Sequence, residues 1–198
     1  MSAAGLVAHP LTAERWPDLE RLFGPSGAYS NCWCTFQRVT GREFSAGCRN
    51  RGAGNRSLLR RLTDDRRRPG LIGYRDGEPV GWISLGPRPE FGRILRSPIT
   101  RLNPDQAADE SVWSIVCFFI PRAYRGTGVG RALLQRAVAH ARSSGASVLE
   151  AYPLDTRGAR VPSSTAFTGT LDLFVSGGFQ VVAERVPGRP VVRLALAG

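Results

Sequence analysis

The sequence predicts an α/β domain in which helices flank a central sheet, and three observations carry that expectation. Val112 to Ile120 is an apolar run of strand length interrupted only by Ser114, the pattern of a central strand buried on both faces. It leads into the glycine-rich stretch Tyr124-Arg125-Gly126-Thr127-Gly128-Val129-Gly130, after which Arg131 to Arg142 has helical periodicity. Upstream, the strand-like segments Leu71 to Arg75 and Val80 to Leu85 are separated by Asp76-Gly77, a dipeptide that accepts the positive φ of a tight hairpin turn. With 198 residues and 42% hydrophobic content the chain can bury one good core, so a single domain over residues 1–198 is expected.

The elements follow in order. Leu6 to His9 reads as an opening strand, and a helix should then run to Phe23, with Thr12 as its cap, Pro17 in its first turn, and Trp16, Leu19 and Phe23 on its inward face. Gly24-Pro25-Ser26-Gly27 ends it. The next stretch is rich in aromatics and cysteine (Tyr29, Cys32, Trp33, Cys34, Phe36) and then in arginine, with Asn55 to Leu62 helical in pattern. Pro69-Gly70 opens the hairpin, whose two strands fit the sheet centre. Residues 86–110 form a long connection with Pro87, Pro89, Pro98 and Pro104, longer than compact domains usually allow unless it serves function. The helix over Val129 to Ser144 sets Val129, Leu133, Ala137, Val138 and Ala141 on one stripe, turns Arg131, Gln135 and Arg142 to water, and stops at Gly145. Ser147 to Tyr152 is the next strand and Thr168 to Ser176 a short helix. Gly178 to Glu184 and Val191 to Leu196 form a closing hairpin about Pro187-Gly188.

The strand, glycine turn and helix around Gly128 are a phosphate-binding arrangement, because a helix start leaves backbone N–H groups without partners and carries a partial positive charge. Three ligand classes compete for such a loop. A Walker A loop requires a lysine, and all 27 basic residues here are arginine, which excludes it. A dinucleotide fingerprint requires Gly-x-Gly-x-x-Gly on a first strand with an acid about 20 residues on; Glu150 stands at that distance, but the spacing here is Gly126-x-Gly128-x-Gly130. The third pattern is Arg-x-x-Gly-x-Gly, met by Arg125, Gly128 and Gly130. A glycine turn with no ligand stays open beside it.

On those residues, and on the order of elements from about Pro69 to the C-terminus, the chain resembles the GNAT superfamily of acyl-CoA-dependent N-acetyltransferases. The resemblance implies a mixed, mostly antiparallel sheet flanked by helices and splayed between its fourth and fifth strands, with acetyl-CoA as cosubstrate. Phe118, Phe119 and Ile120 would pair through their backbone with the pantetheine arm, and Arg125, Gly126, Thr127, Gly128, Val129, Gly130 and Arg131 would receive the pyrophosphate, with charge-assisted bonds from the arginines. Glu150, on the fifth strand, resembles the base of ribosomal-protein N-terminal acetyltransferases; a buried Glu paired with arginine is the competing reading. The tyrosine that would protonate the leaving thiolate in those families falls on Phe174 here, and Tyr152, on the same strand face as Glu150, is the substitute acid. The acceptor pocket would be lined by Tyr29, Trp33 and the long connection, with acceptor-side elements over residues 24–68. An amine acceptor follows, whether small molecule, peptide or charged tRNA, and a homodimer is left open. A GNAT-shaped module that holds CoA or nucleic acid without catalysis is the alternative.

Composition narrows the setting. No run approaches the roughly 20 apolar residues of a membrane span, and Met1 to Pro10 lacks the pattern of a signal peptide, so no membrane role and a cytoplasmic location are expected. The net charge of +11 and clusters such as Arg60, Arg61, Arg66, Arg67 and Arg68 fit a solvated surface and the attraction of CoA phosphates, with an acidic partner the other reading. Cys32, Cys34, Cys48 and Cys117 lack the paired spacing of a zinc site, and His9 and His140 are not placed as partners, so reduced thiols and no metal are expected. His140 lies off the helix stripe and reads as structural.

Overall fold

A computed structural model describes residues 5–65, 67–100 and 108–196. Its centre is a seven-stranded sheet in the order β1-β2-β3-β4-β5-β7-β6. The strands are β1 (Val7–Pro10), β2 (Gly70–Arg75), β3 (Glu78–Pro87), β4 (Val112–Phe119), β5 (Val148–Ala151), β6 (Gln180–Glu184) and β7 (Pro190–Ala195). Every neighbouring pair is antiparallel except β4 with β5, which runs parallel. The hairpin strands β2 and β3 are offset to one side, and β4 holds the middle position, as its apolar run requires.

The helices cover both faces. On one, α5 (Val129–Ser143) buries Val129, Ala132, Leu133, Leu134, Ala137 and Ala141 against Val80, Ile83 and Ile115 of the sheet, with α6 (Leu171–Val175) contributing Phe174. Fully burying one such leucine contributes about 1.5–3 kcal/mol, so this stripe accounts for much of the helix's attachment. Arg131, Gln135 and Arg142 are exposed. His140 packs edge-on against Trp113 at 5.7 Å between ring centroids.

The opposite face holds α1 (Trp16–Phe23), α2 (Gly41–Gly47) and α3 (Arg49–Asp64) around an aromatic cluster that includes Trp16, Phe23, Trp33, Trp82 and Phe91. Here the structure departs from the sequence expectation. The arginine-laden stretch carries two helices instead of one, and α2 starts with a full capping box: the Thr40 hydroxyl accepts from the Glu43 amide while the Glu43 carboxylate accepts from the Thr40 amide. Helix α3 contains a kink at Asn50, Arg51 and Gly52, which take left-handed conformation, so its regular part starts after Gly52, close to the expected Asn55. Thr12 precedes a short 3-10 turn over Ala13–Arg15 and makes no side-chain cap.

The long connection is ordered in its described part. After a 3-10 turn over Arg88–Glu90 comes α4 (Gly92–Arg96), with Phe91 and Ile94 buried. Residues 101–107 of this connection, including Pro104, and Arg66 of the basic cluster lie outside the described residues. Arg60 and Arg67 of that cluster pair with Asp64 and Glu90. No helix among the described residues is long and apolar enough to cross a membrane.

Candidate active site

The site arises where β4 and β5 part. Their ladder runs from Val112 opposite Val148 to Ile115 opposite Ala151 and then ceases. Two local causes act together. Pro153, just past β5, has no N–H to continue the ladder. On β4, Ser84 of β3 faces Cys117 while Leu85 faces Ile115, so Val116 is an extra residue, a bulge that bends the strand. A cavity of about 780 Å³ opens there. Its walls are Phe118 and Phe119 of β4 with Ile120 just beyond it, Arg125, Gly126 and Gly130 of the glycine loop, parts of the segment from Ala28 to Phe44, and residues from Ser163 to Leu173.

The glycine loop has the conformation an anion site needs. Gly126 and Gly128 take φ of 75° and 85°, a region that L side chains enter at a cost, and Gly128 forms the N-terminal cap of α5 without any side-chain acceptor. The first amides of the helix, which the helix itself cannot satisfy, are thus presented by bare backbone. Around them the Thr127 hydroxyl donates to the Tyr124 carbonyl at 2.7 Å, and Arg125 Nε donates to the Ile120 carbonyl at 2.8 Å. Thr127, Gly128, Val129 and Arg131 do not themselves line the cavity; Val129 turns its side chain into the core at 1% exposure. These features fit a pyrophosphate group.

The strand end differs from the expectation in one respect. The Phe118 amide already donates to the Phe167 carbonyl at 2.6 Å, so the segment after β5 reaches across the parting and takes a donor that the resemblance reserves for the cosubstrate arm. Gly169, at φ 87°, lets this segment pass: a side-chain carbon there would stand 2.7 Å from the Phe174 ring and 3.2 Å from that of Phe118.

Glu150 and Tyr152 lie behind the cavity wall and do not line it. Glu150 is 1% exposed, accepts from Arg193 Nε at 2.8 Å, sits 3.7 Å from Arg88 Nη1 and accepts from the Tyr152 hydroxyl. Arg88 is itself buried, at 3% exposure. The competing reading of Glu150, a buried carboxylate held by arginine, is therefore the arrangement present. Burial, and then the Glu150 carboxylate beside it, hold the Tyr152 phenol well above its ordinary range, so it is a poor acid for a departing thiolate. Its hydroxyl also meets Ser114 Oγ at 3.0 Å. Sequence reasoning missed Arg88 and Arg193, although Arg193 stands opposite Glu150 in the β5/β7 register.

On the acceptor side, Tyr29 lines the cavity and is 60% exposed, whereas Trp33 stacks on Trp16 at 5.9 Å in the core behind it. The long connection does not form a cavity wall in its described part; it reaches the site indirectly, through Arg88 on Glu150 and Arg93 over the Phe36 ring at 4.1 Å. Phe36, Phe44 and Phe167 make the aromatic wall, with edge-on ring contacts at 5.1 and 6.0 Å. Cys34 and Cys117 bring their sulfurs to 3.2 Å on the same wall. Contact with the Cys117 thiol, together with burial, pushes the Cys34 thiol up, and contact with Cys34 together with burial does so for Cys32, so both stay protonated at neutral pH. No group of three or more metal-ligating side chains occurs among the described residues.

Comparison with known proteins gives this geometry a family. The model of the acetyltransferase (GNAT) family matches residues 38–161. Among solved structures, the chain is similar to the PaiA N-acetyltransferase from Thermoplasma acidophilum in complex with coenzyme A, at 13% identity and a TM-score of 0.53 over 98% of this chain and 99% of that one. It is similar to an acetyltransferase from Thermus thermophilus, at 19% identity and 0.54 over 98% and 99%. A GNAT family acetyltransferase from Brucella melitensis in complex with acetyl-CoA matches at 13% and 0.51 over 98% and 89%. At these identities the likeness is one of fold. No curated protein sequence matches the chain. The parted strands, the left-handed glycine cap at the start of α5 and the match over residues 38–161 agree: this chain belongs to the GNAT acetyltransferase family.

Proposed function

We propose that the protein is an acyl-CoA-dependent N-acetyltransferase that moves the acetyl group of acetyl-CoA directly to an amine. The observation that carries this reading is the cavity that joins the glycine loop to the aromatic wall past the end of β4. The pyrophosphate of acetyl-CoA would rest on the amides from Gly126 to Arg131, and the pantetheine arm would run along Phe118 to Ile120, displacing the Phe167 carbonyl or using the backbone beyond it. The amine nitrogen then attacks the thioester carbonyl carbon. A C–N bond forms, the C–S bond breaks, and the proton lost by nitrogen ends on the CoA sulfur. A thiol with a pKa near roughly 8.5 leaves tolerably as its anion, which suits a site with Phe174 where related enzymes have tyrosine.

Glu150 and Tyr152 enter this chemistry as positioning residues. Their hydrogen bond, with Ser114, Arg88 and Arg193, ties the ends of β4 and β5 together where the strands diverge and so sets the width of the cosubstrate slot. Incubation with acetyl-CoA and an amine panel tests the reading: thiol release matched by acetylated product supports it. Acetyl-CoA binding without thiol release for any amine would favour the non-catalytic binding module instead.

A further inference from the structure

The cavity wall on the acceptor side is largely apolar and carries no carboxylate among the described residues. Its described lining is aromatic and aliphatic, with the thiols of Cys32, Cys34 and Cys117, the amide of Gln37 and a few hydroxyls as its polar groups, while Arg125, the cation of the described lining, lies at the glycine loop. Glu43, Glu90 and Glu150, the glutamates of the elements behind this wall, each have a partner. Glu43 closes the cap of α2, Glu90 is held by Arg38 at 2.6 Å, and Glu150 is held by Arg193 and Arg88. Arg93, over Phe36, adds positive charge close to that wall.

Such a cavity discriminates by charge. An ammonium entering it would lose its water without gaining a counter-ion from the described lining. The described lining also holds no carboxylate or imidazole to remove a proton, and Cys32 and Cys34 are themselves held as thiols. The acceptor must therefore arrive as the free amine. At pH 7 an amine with the basicity of lysine, pKa about 10.4, is neutral in only about one molecule in 2500, whereas an α-amine of pKa about 7.7 is neutral in about one in six. The four rings on the cavity away from the cosubstrate slot, from Tyr29, Phe36, Phe44 and Phe167, favour an apolar body of aromatic size.

From these observations we infer that the acceptor is a weakly basic primary amine on an apolar, aromatic-sized body with no second cationic group. This rests on the acetyl-transfer reading above. The neutral nitrogen attacks the acetyl carbonyl carbon, the C–S bond breaks as the C–N bond forms, and the nitrogen's proton passes to the CoA thiolate.

Three probes at pH 7 with acetyl-CoA test it, read by thiol release and by mass of the product: phenylalanine amide, phenethylamine and spermidine. The first two share a ring and differ in basicity; the third is a polycation. The expected result is a kcat/KM for phenylalanine amide at least tenfold above that for phenethylamine, with spermidine inactive. Gln37→Glu, which places a carboxylate on the wall with little change of shape, should narrow or reverse that order. Equal or greater turnover of phenethylamine or spermidine by the unaltered protein would overturn the acceptor class and leave acetyl transfer standing. Acetyl-CoA binding with no thiol release for any of the three would overturn both.

Discussion

Glu150→Gln separates a structural role from a catalytic one. In the folded protein the Glu150 carboxylate is 1% exposed and faces Arg193 at 2.8 Å and Arg88 at 3.7 Å, while accepting from Tyr152. Glutamine keeps an acceptor for the phenol but turns an amide N–H₂ toward a guanidinium and leaves Arg88 buried without its counter-charge. Breaking one partner of a buried ion pair costs about 3–5 kcal/mol, and the retained phenol contact argues for the lower end. For a chain of this length each kcal/mol moves Tm by about 2–4 °C, so about 3 kcal/mol lowers Tm by about 6–12 °C. Thermal unfolding followed by circular dichroism reads this directly. Under saturating acetyl-CoA, kcat at 25 °C should fall by less than about tenfold, since the nucleophile arrives neutral and the change acts through the slot's shape. An unchanged Tm with a loss of about a hundredfold or more in kcat would refute the positioning role and return Glu150 to the part of general base.

Phe174→Tyr should destabilise by about 1–3 kcal/mol and give no gain in rate, because Phe174 is fully buried against Phe118, Phe179 and Gly169, none of which has a polar side chain to meet the added hydroxyl; denaturant unfolding and initial rates check both. His140 should make stability fall with acidification. Burial, and then the charge of Arg68, lower its pKa in the folded protein below the ordinary 6.5, so the unfolded chain binds the proton first and stability is lost as pH drops below about 6.5. His140→Gln should flatten that slope in urea titrations at pH 5 and 7; an unchanged slope would assign it to other groups. Gly169→Ala should loosen the segment crossing the strand parting, since its new carbon would stand 2.7 Å from the Phe174 ring at a φ of 87°. Amide exchange at Phe118 should then quicken.

The parts that sequence made legible are those with a local physical signature. The strand, glycine turn and helix around Gly128, the Asp76-Gly77 hairpin and the apolar stripe of α5 each follow from spacing and conformational preference, and each is present. Helix α2 was open to the same reasoning through Thr40 and Glu43 but was hidden by an arginine-rich, non-periodic stretch. What escaped depends on long-range register. Nothing in Glu150's neighbourhood along the chain announces Arg88 or Arg193; they meet it only because β5 pairs with β7 and the turn after β3 folds back over β4. Likewise Trp33 and Tyr29 are neighbours in sequence, yet left-handed backbone at Ser30, Asn31 and Trp33 sends one into the core and leaves the other at the cavity.

The central claim is that the amides at the start of α5 hold the pyrophosphate of acetyl-CoA, and titration calorimetry of acetyl-CoA into the protein and into Gly128→Glu tests it most directly. Glutamate at 128 puts a side chain at φ 85° and an anion where the phosphates would lie. Saturable binding at one site, weakened at least a hundredfold in a variant that keeps its circular dichroism spectrum, is the predicted result. No binding by the unaltered protein, or equal affinity in the variant, would contradict it.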